Sequence, residues 1–366
     1  MINFINFDHD DHIVQYDVEV NGRERVYIDQ LFNQEFGRFV EGVFSDSRAP
    51  KTRMSMNYKV VLDNVDIVSL MKNGRLQDPV FSHRVHMIQD FLVRSGCPVP
   101  EIYSNPDGNA IFHLHTGENS LVLLSKFIKG EHYGAQIDLG VLGEAYGKVY
   151  RSLLSMGKPE HIRIAFEKRK PFIWDVVSHN SLSKILELPL EINKDLEIFS
   201  ENENKLRIII NQVLETRLKL VNIKPQVVLG DPHPHNIIID SKGKPYIIDF
   251  ENAAANIQPA SFDLGMAMHR SVKMDLSKMA DPKLSDISER CQNFIDGVKT
   301  QFLDFDTKML VPGALDKSLS SLLRLALRVV ENEFDNWQYV ISLELNKQFH
   351  NILELEVIAE ATKDVF

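Results

Sequence analysis

Cysteine is nearly missing from this chain: its 366 residues include two, Cys97 and Cys291. Two thiols build neither a disulfide framework nor a cysteine-ligated metal site. A basic excess is missing too. The formal charge of −10 and the pI near 5.7 argue against a nucleic-acid partner, because phosphate backbones reward basic patches. No apolar run approaches the ~20 residues of a membrane helix, and the opening MINFINFDHDDH lacks the basic and apolar regions of a leader. A cytoplasmic protein without a membrane partner is therefore expected. Internal repeats and low-complexity linkers are also lacking, as are a P-loop signature and a G-x-G-x-x-G run. What remains is ample for folding: 44% hydrophobic residues supply a sizeable core, and the length implies about two domains.

One stretch stands apart, LGDPHPHNIIIDSKGKPYIID at 229 to 249. Phosphoryl transfer needs a carboxylate that orients the attacking hydroxyl and takes its proton. It also needs hard oxygen ligands for Mg²⁺, since catalysis there is mostly positioning and charge neutralisation. Asp231 suits the first task, and Asn236 with Asp249 the second. Val227 and Val228 lead into a loop, Pro232 and Pro234 exclude regular helix and sheet, and Ile237 to Ile239 lead out. Asp240, Ser241, Lys242 and Gly243 then form a turn, and Tyr246 to Ile248 form a second strand that ends at Asp249. Such a hairpin brings Asn236 and Asp249 to one end. His233 and His235 make an H-x-H pair of the kind that binds zinc, but no further ligands at recognisable spacing complete a site. His233 reads instead as a brace of the loop.

This segment resembles the catalytic core of the aminoglycoside phosphotransferase and choline kinase superfamily, small-molecule kinases of protein-kinase-like fold. Their D-x-H-x-x-N loop is followed by a strand ending in D-F-[ED]; here stand Asp231, His233 and Asn236, then Asp249, Phe250 and Glu251. Pro259 with Phe262, Asp263 and Leu264 is similar to the family's P-x-x-x-D-L-A segment, whose Asp braces the catalytic loop. Leu229 departs from the His common at that position and is expected to pack beneath the loop. The Gly of D-F-G and a following A-P-E are lacking, so the resemblance does not extend to protein kinases.

Further resemblances place the nucleotide. VQYDVEV, Asn21–Gly22 and RERVYID read as a hairpin by alternation around an Asn-Gly turn. The polar SDSRAPKT (45 to 52), RMSMNYKVVLDN and VDIVSLMKNG then look like the phosphate-covering loop and the next two strands of a kinase N-lobe. In that register Lys72 takes the place of the lysine that pairs with the α- and β-phosphates, with Lys59 as competitor. A helix over 80 to 95 lacks the Glu that normally pairs with that lysine, leaving Gln89, Asp90 or His86 as substitutes. CPVPEIY is similar to the family's G-x-P-V-P segment. LVLLSKFI (121 to 128) resembles the hinge strand, which implies that backbone groups at Lys126, Phe127 and Ile128 read the base. The helix over 138 to 156 carries Tyr150 near the family's usual His. Glu331 and Asp335 lie one turn apart on a C-terminal amphipathic helix, as a solvated face or an ammonium site, and Trp337 reads as core.

The expectation is an α+β, protein-kinase-like two-lobed fold, with a β-rich N-lobe over 1–128 and a mainly helical C-lobe over 129–366. Its function would be phosphotransfer from ATP or GTP, with Mg²⁺, to a hydroxyl of a small molecule such as a sugar, amino alcohol or aminoglycoside-like compound. A kinase-like binding or regulatory protein with weak or no catalysis is the alternative. Acceptor identity and oligomeric state carry no sequence signal.

Overall fold

The structure, a computed structural model, describes residues 16–46, 55–63, 67–73, 78–116, 118–133, 137–173, 175–188, 194–219, 223–331 and 338–365. In chain order these begin with β1 (Tyr16–Glu19), α1 (Arg23–Phe36), β2 (Val40–Asp46), β3 (Ser55–Leu62), β4 (Ile67–Asn73), α2 (Pro79–Arg94), β5 (Ile111–Thr116), β6 (Glu118–Lys126) and β7 (Gly130–His132). Then come α3 (Leu139–Met156), α4 (Glu160–Ile173), α5 (His179–Leu186), α6 (Glu197–Glu201), α7 (Glu203–Lys219), β8 (Gln226–Val227), β9 (Ile237–Asp240) and β10 (Pro245–Ile247). The chain closes with β11 (Ile257–Gln258), α8 (Ala260–Leu276), α9 (Leu284–Gln301), α10 (Leu310–Val330) and α11 (Gln338–Thr362).

Two compact units result. One holds the described residues up to Ile137 together with Pro234–Ala254; the other holds Asp138–His233 and Ala255 onward. In the first, an antiparallel sheet runs β1-β2-β3-β4-β6-β5. Its alternating residues Tyr58, Val60, Val68, Leu70, Val122 and Leu124 pack with Ile28, Leu31 and Phe32 of α1. Each of those α1 side chains contributes roughly 1.5–3 kcal/mol by leaving water.

That helix corrects the hairpin expected around Asn21–Gly22. Ile28, Leu31 and Phe32 recur at helical spacing and are buried together, whereas alternation over 24 to 29 would turn half of them to solvent. Gly37, at φ 60°, ends the helix: its N–H donates to Asn33 O and the Arg38 N–H to Phe32 O, both at 3.1 Å. The other face of the sheet carries the cross-strand row Lys59, Ser69 and Ser125. There Gln89 of α2 donates to Ser125 Oγ and to Pro100 O, both at 2.9 Å. The helix expected over 80 to 95 is α2, started by Asp78, which accepts from Val80 N–H, and Pro79.

A smaller sheet, β10-β9-β7, joins the 237–247 hairpin to the same unit. Gly130 permits it, since a Cβ there would stand 2.1 Å from Ile239 O. This pairing is why the unit runs past residue 128 and reclaims 234 to 254.

The second unit is mainly helical. α3 meets α9 through glycines: a Cβ on Gly297 would lie 1.9 Å from Gly140 O. Among the described residues no helix is long and apolar enough to cross a membrane. Helix α8 is buried from Ala260 through His269 and carries a polar cluster against α11. His269 donates to Glu354 at 2.9 Å, and Lys273 (3.0 Å) and His350 (3.2 Å) also bridge to it. Burial pushes the Glu354 carboxyl up, yet its hydrogen bonds from His269 and His350 and the Lys273 charge hold it at about 2. Burial also lowers His269, despite the Glu354 partner.

Both groups therefore bind protons less readily in the folded chain than in the unfolded one. Stability is full above 6.5, the ordinary His269 value, and falls as pH drops below it; a second loss follows from 4.5, the ordinary Glu354 value, toward 2. Calorimetric Tm values between about pH 7 and pH 2 test this, and Glu354→Gln should flatten the lower limb. A constant Tm across that range would contradict the buried charge network.

Candidate active site

The hairpin forms as the spacing requires. Pro245, Tyr246 and Ile247 pair with Ile239, Ile238 and Ile237, and the Asp240 side chain closes the turn by accepting from Lys242 and Lys244 N–H groups. Ile248 N–H then donates to Asn236 O at 2.8 Å, which sets Asn236 beside the residue preceding Asp249. Asp249 has φ 66°, the single non-glycine residue with positive φ among those described, and its carboxylate accepts from Glu251 N–H at 3.2 Å. Aspartate tolerates this left-handed conformation, and strain of that kind persists where the surroundings impose it, often at ligand-binding positions. One carboxylate and one amide oxygen form a donor set suited to Mg²⁺, which takes few protein ligands and keeps waters or phosphates.

The stretch expected to read the base belongs to the same unit. Lys126 N–H donates to Glu101 O at 2.7 Å and Phe127 N–H to Ile67 O at 3.1 Å, whereas Ile128 N–H has no acceptor among the described residues. Of the three expected readers, Ile128 keeps its donor available. A concavity of about 350 Å³ borders this stretch, lined by Ile67, Tyr103, Phe127, Ile128 and Tyr246 among others.

Lys59 places its ammonium 5.6 Å from the ring centroids of both Phe44 and Phe127. The Lys72 backbone lies in β4, in register with Met56 and Val122; its side chain lies outside the described residues. Gln89 spends its amide on Pro100 and Ser125, and Asp90 pairs with Arg94 at 2.7 Å. Residues 47 to 52 of the expected phosphate-covering loop lie outside the described residues, as do Asp335 and Trp337. Glu331 is the exposed end of α10.

The division between the units falls between His233 and Pro234, so Asp231 and His233 belong to the helical unit. There Gly230, at φ 86°, turns the chain into Asp231. Asp263 is fully buried and holds this turn: it accepts from Gly230 N–H at 2.8 Å, Tyr150 Oη–H at 2.6 Å, Gln258 at 3.0 Å and the Lys317 ammonium. Lys317 also donates to Gly230 O at 3.0 Å. Burial, then the Asp263 charge, holds the Tyr150 phenol well above its ordinary range, so it remains a donor. Leu229 is buried beneath the loop, at 2% exposure.

Sequence reading missed two residues here, Lys317 and Arg270. Arg270 of α8 donates to Asp231 Oδ1 at 2.6 Å. Burial pushes the Asp231 carboxyl up, but Arg270, His233 and Lys317 outweigh it and hold it below the ordinary value. Asp231 is therefore a carboxylate throughout the neutral range. The signal for Lys317 lay in the isolated polar residues of the otherwise apolar α10; Arg270 had none.

Comparison with known proteins follows this geometry. The sequence matches the family described as APH, phosphotransferase enzyme family, over residues 55–286, more than half of the chain. No curated protein matches. Among solved structures, the chain is similar to a spectinomycin phosphotransferase, APH(9)-Ia, in complex with ADP and spectinomycin, at TM-score 0.67 and 14% identity, covering 92% of this chain and 98% of that one. It is also similar to amicoumacin kinase with AMP-PNP, Ca²⁺ and Ami, at TM-score 0.60 and 11% identity over 93% and 94% of the two chains. A microcompartment-associated aminopropanol kinase gives TM-score 0.58 and 12% identity over 93% and 98%. At these identities the likeness establishes the kinase-like fold. The chain belongs to the phosphotransferase enzyme family.

Proposed function

We propose that the protein transfers the γ-phosphoryl group of ATP to a hydroxyl of a small molecule, with Mg²⁺ as its metal. Asp231 orients the hydroxyl and takes its proton; Asn236 and Asp249 hold the metal, which supplies charge neutralisation at the phosphates. His233 and Asp263 brace the loop, and Ile128 N–H reads the base edge beside Lys126 and Phe127. The observation that carries this reading is Asp249, strained at the end of a hairpin that sets Asn236 beside it. Nucleotides in the spectinomycin and amicoumacin kinase structures support the choice of cofactor. The cytoplasm, where ATP is supplied, is its place of action. ADP release across a panel of hydroxyl acceptors tests the reading. Binding of ATP·Mg²⁺ without turnover of any acceptor would favour a non-catalytic binding protein.

The phosphate-binding lysine is assigned to Lys72, with Lys59 as competitor. Lys72→Ala should weaken ATP binding by ~10-fold or more, because a charge-assisted contact to phosphate outweighs a surface charge, while Lys59→Ala stays near wild type. The reverse ranking, read by calorimetric titration, would transfer the role to Lys59, which stands beside Phe127.

A further inference from the structure

Each carboxylate near the catalytic-loop position has its own cation. Lys317 is taken up by Asp263, and Arg270 by Asp231. The charges therefore balance in pairs, and what distinguishes Arg270 is its geometry.

Arg270 also occupies an unusual place on its helix. From Ala260 through Lys273 of α8 every side chain is buried except that of Arg270, which is 20% exposed, and its partner Asp231 is 46% exposed. The helix thus opens at one point, against the carboxylate assigned to the attacking hydroxyl. A guanidinium has five N–H donors in a planar fork. One contact, to Asp231 Oδ1, occupies Arg270 among the described residues, leaving the rest of the fork for a ligand. Such a fork matches a carboxylate in two-point geometry, and no neutral hydroxyl or ammonium uses it as well.

We propose that Arg270 is a specificity-determining residue, and that the acceptor carries a carboxylate close to the hydroxyl that is phosphorylated: a hydroxy acid or hydroxy amino acid. This rests on the kinase reading above and names its substrate class. A hydroxyl on Asp231 and a carboxylate on the remaining edge of Arg270 lie ~5 Å apart by ordinary hydrogen-bond lengths, so one or two carbons separate them. In the reaction the acceptor oxygen bonds to the γ-phosphorus as the bond to the β–γ bridging oxygen breaks. The hydroxyl proton goes to Asp231, and the electron pair leaves with ADP. Arg270 holds the carboxylate throughout and takes no part in the bond changes.

The test uses the full chain with ATP and Mg²⁺ and reads ADP release from three acceptor sets: hydroxycarboxylates with hydroxy amino acids, neutral sugars and polyols, and cationic amino sugars with amino alcohols. Turnover should favour the first set. Arg270→Gln should raise KM for the best carboxylate ~10²-fold with a smaller change in kcat and an unchanged KM for ATP. The same acceptor as its amide should show a much smaller rise in KM on that substitution, and Arg270→Lys should fall between. Turnover confined to neutral or cationic acceptors, no turnover of any carboxylate, or a carboxylate KM unmoved in both variants would each overturn the proposal. Failure of the wild-type chain to bind ATP·Mg²⁺ would overturn the kinase reading itself, and this proposal with it.

Discussion

Asp231→Asn lowers turnover by ~10²-fold or more while leaving nucleotide affinity near wild type, because the amide keeps the size of the carboxylate but accepts no proton. The loop should survive the change. Its shape depends on Asp263, which holds Gly230 N–H and the Lys317 ammonium, and not on the Asp231 charge. Steady-state ADP release and ATP titration of the same preparation separate the two effects, and near-normal turnover would remove Asp231 from the chemistry. The pH profile adds a sign. With its pKa held below the ordinary carboxylate value, Asp231 loses its charge only in strong acid, so it sets no limb of kcat/KM near neutrality. Removing Arg270 takes away the leading cation and leaves burial to push the carboxyl up, which moves that limb toward higher pH.

Asp249→Ala is expected to reduce nucleotide affinity in Mg²⁺ to the level measured with the metal chelated. Asp249 brings the negative charge of the Asn236–Asp249 pair, and Mg²⁺ held by so few protein groups has little to replace it. Asn236→Ala is milder, since the lost ligand is neutral. Alanine also fits φ 66° poorly, so Asp249→Asn is the companion variant: it tolerates the left-handed backbone and removes the charge alone. ATP titrations with and without Mg²⁺ that overlay wild type in both variants would place the metal elsewhere.

The hairpin that carries Asn236 and Asp249 was legible because its determinants are local. Two prolines, an Asp-Ser-Lys-Gly turn and two short apolar runs dictate β9, the turn and β10 within about 20 residues, and these bring Asn236 and Asp249 together with little help from the rest of the chain. Leu229 was readable for the same reason, as an apolar residue entering a loop. The segment after Asn21–Gly22 was not. Its alternation and its helical stripe use overlapping residues, and the choice fell to the sheet face of Tyr58, Val60, Val68 and Leu70, which offered Ile28, Leu31 and Phe32 a surface to cover. The division of the chain was likewise tertiary, since β7 recruits β9 across a gap that Gly130 alone allows.

The sequence alone singled out the residues of the motif to which chemistry is assigned, since acid, amide and acid at that spacing have few other uses. What surrounds them was decided by packing. Tyr150 reaches Asp263 across 113 positions, Lys317 reaches it across 54, and Arg270 reaches Asp231 across 39. No periodicity marks such pairs, because a polar side chain on a buried helix finds its partner only when the helices that bury it have docked. The partner of the Asp231 carboxylate, and with it the proposed choice of acceptor, is therefore a property of the folded helices and not of the motif.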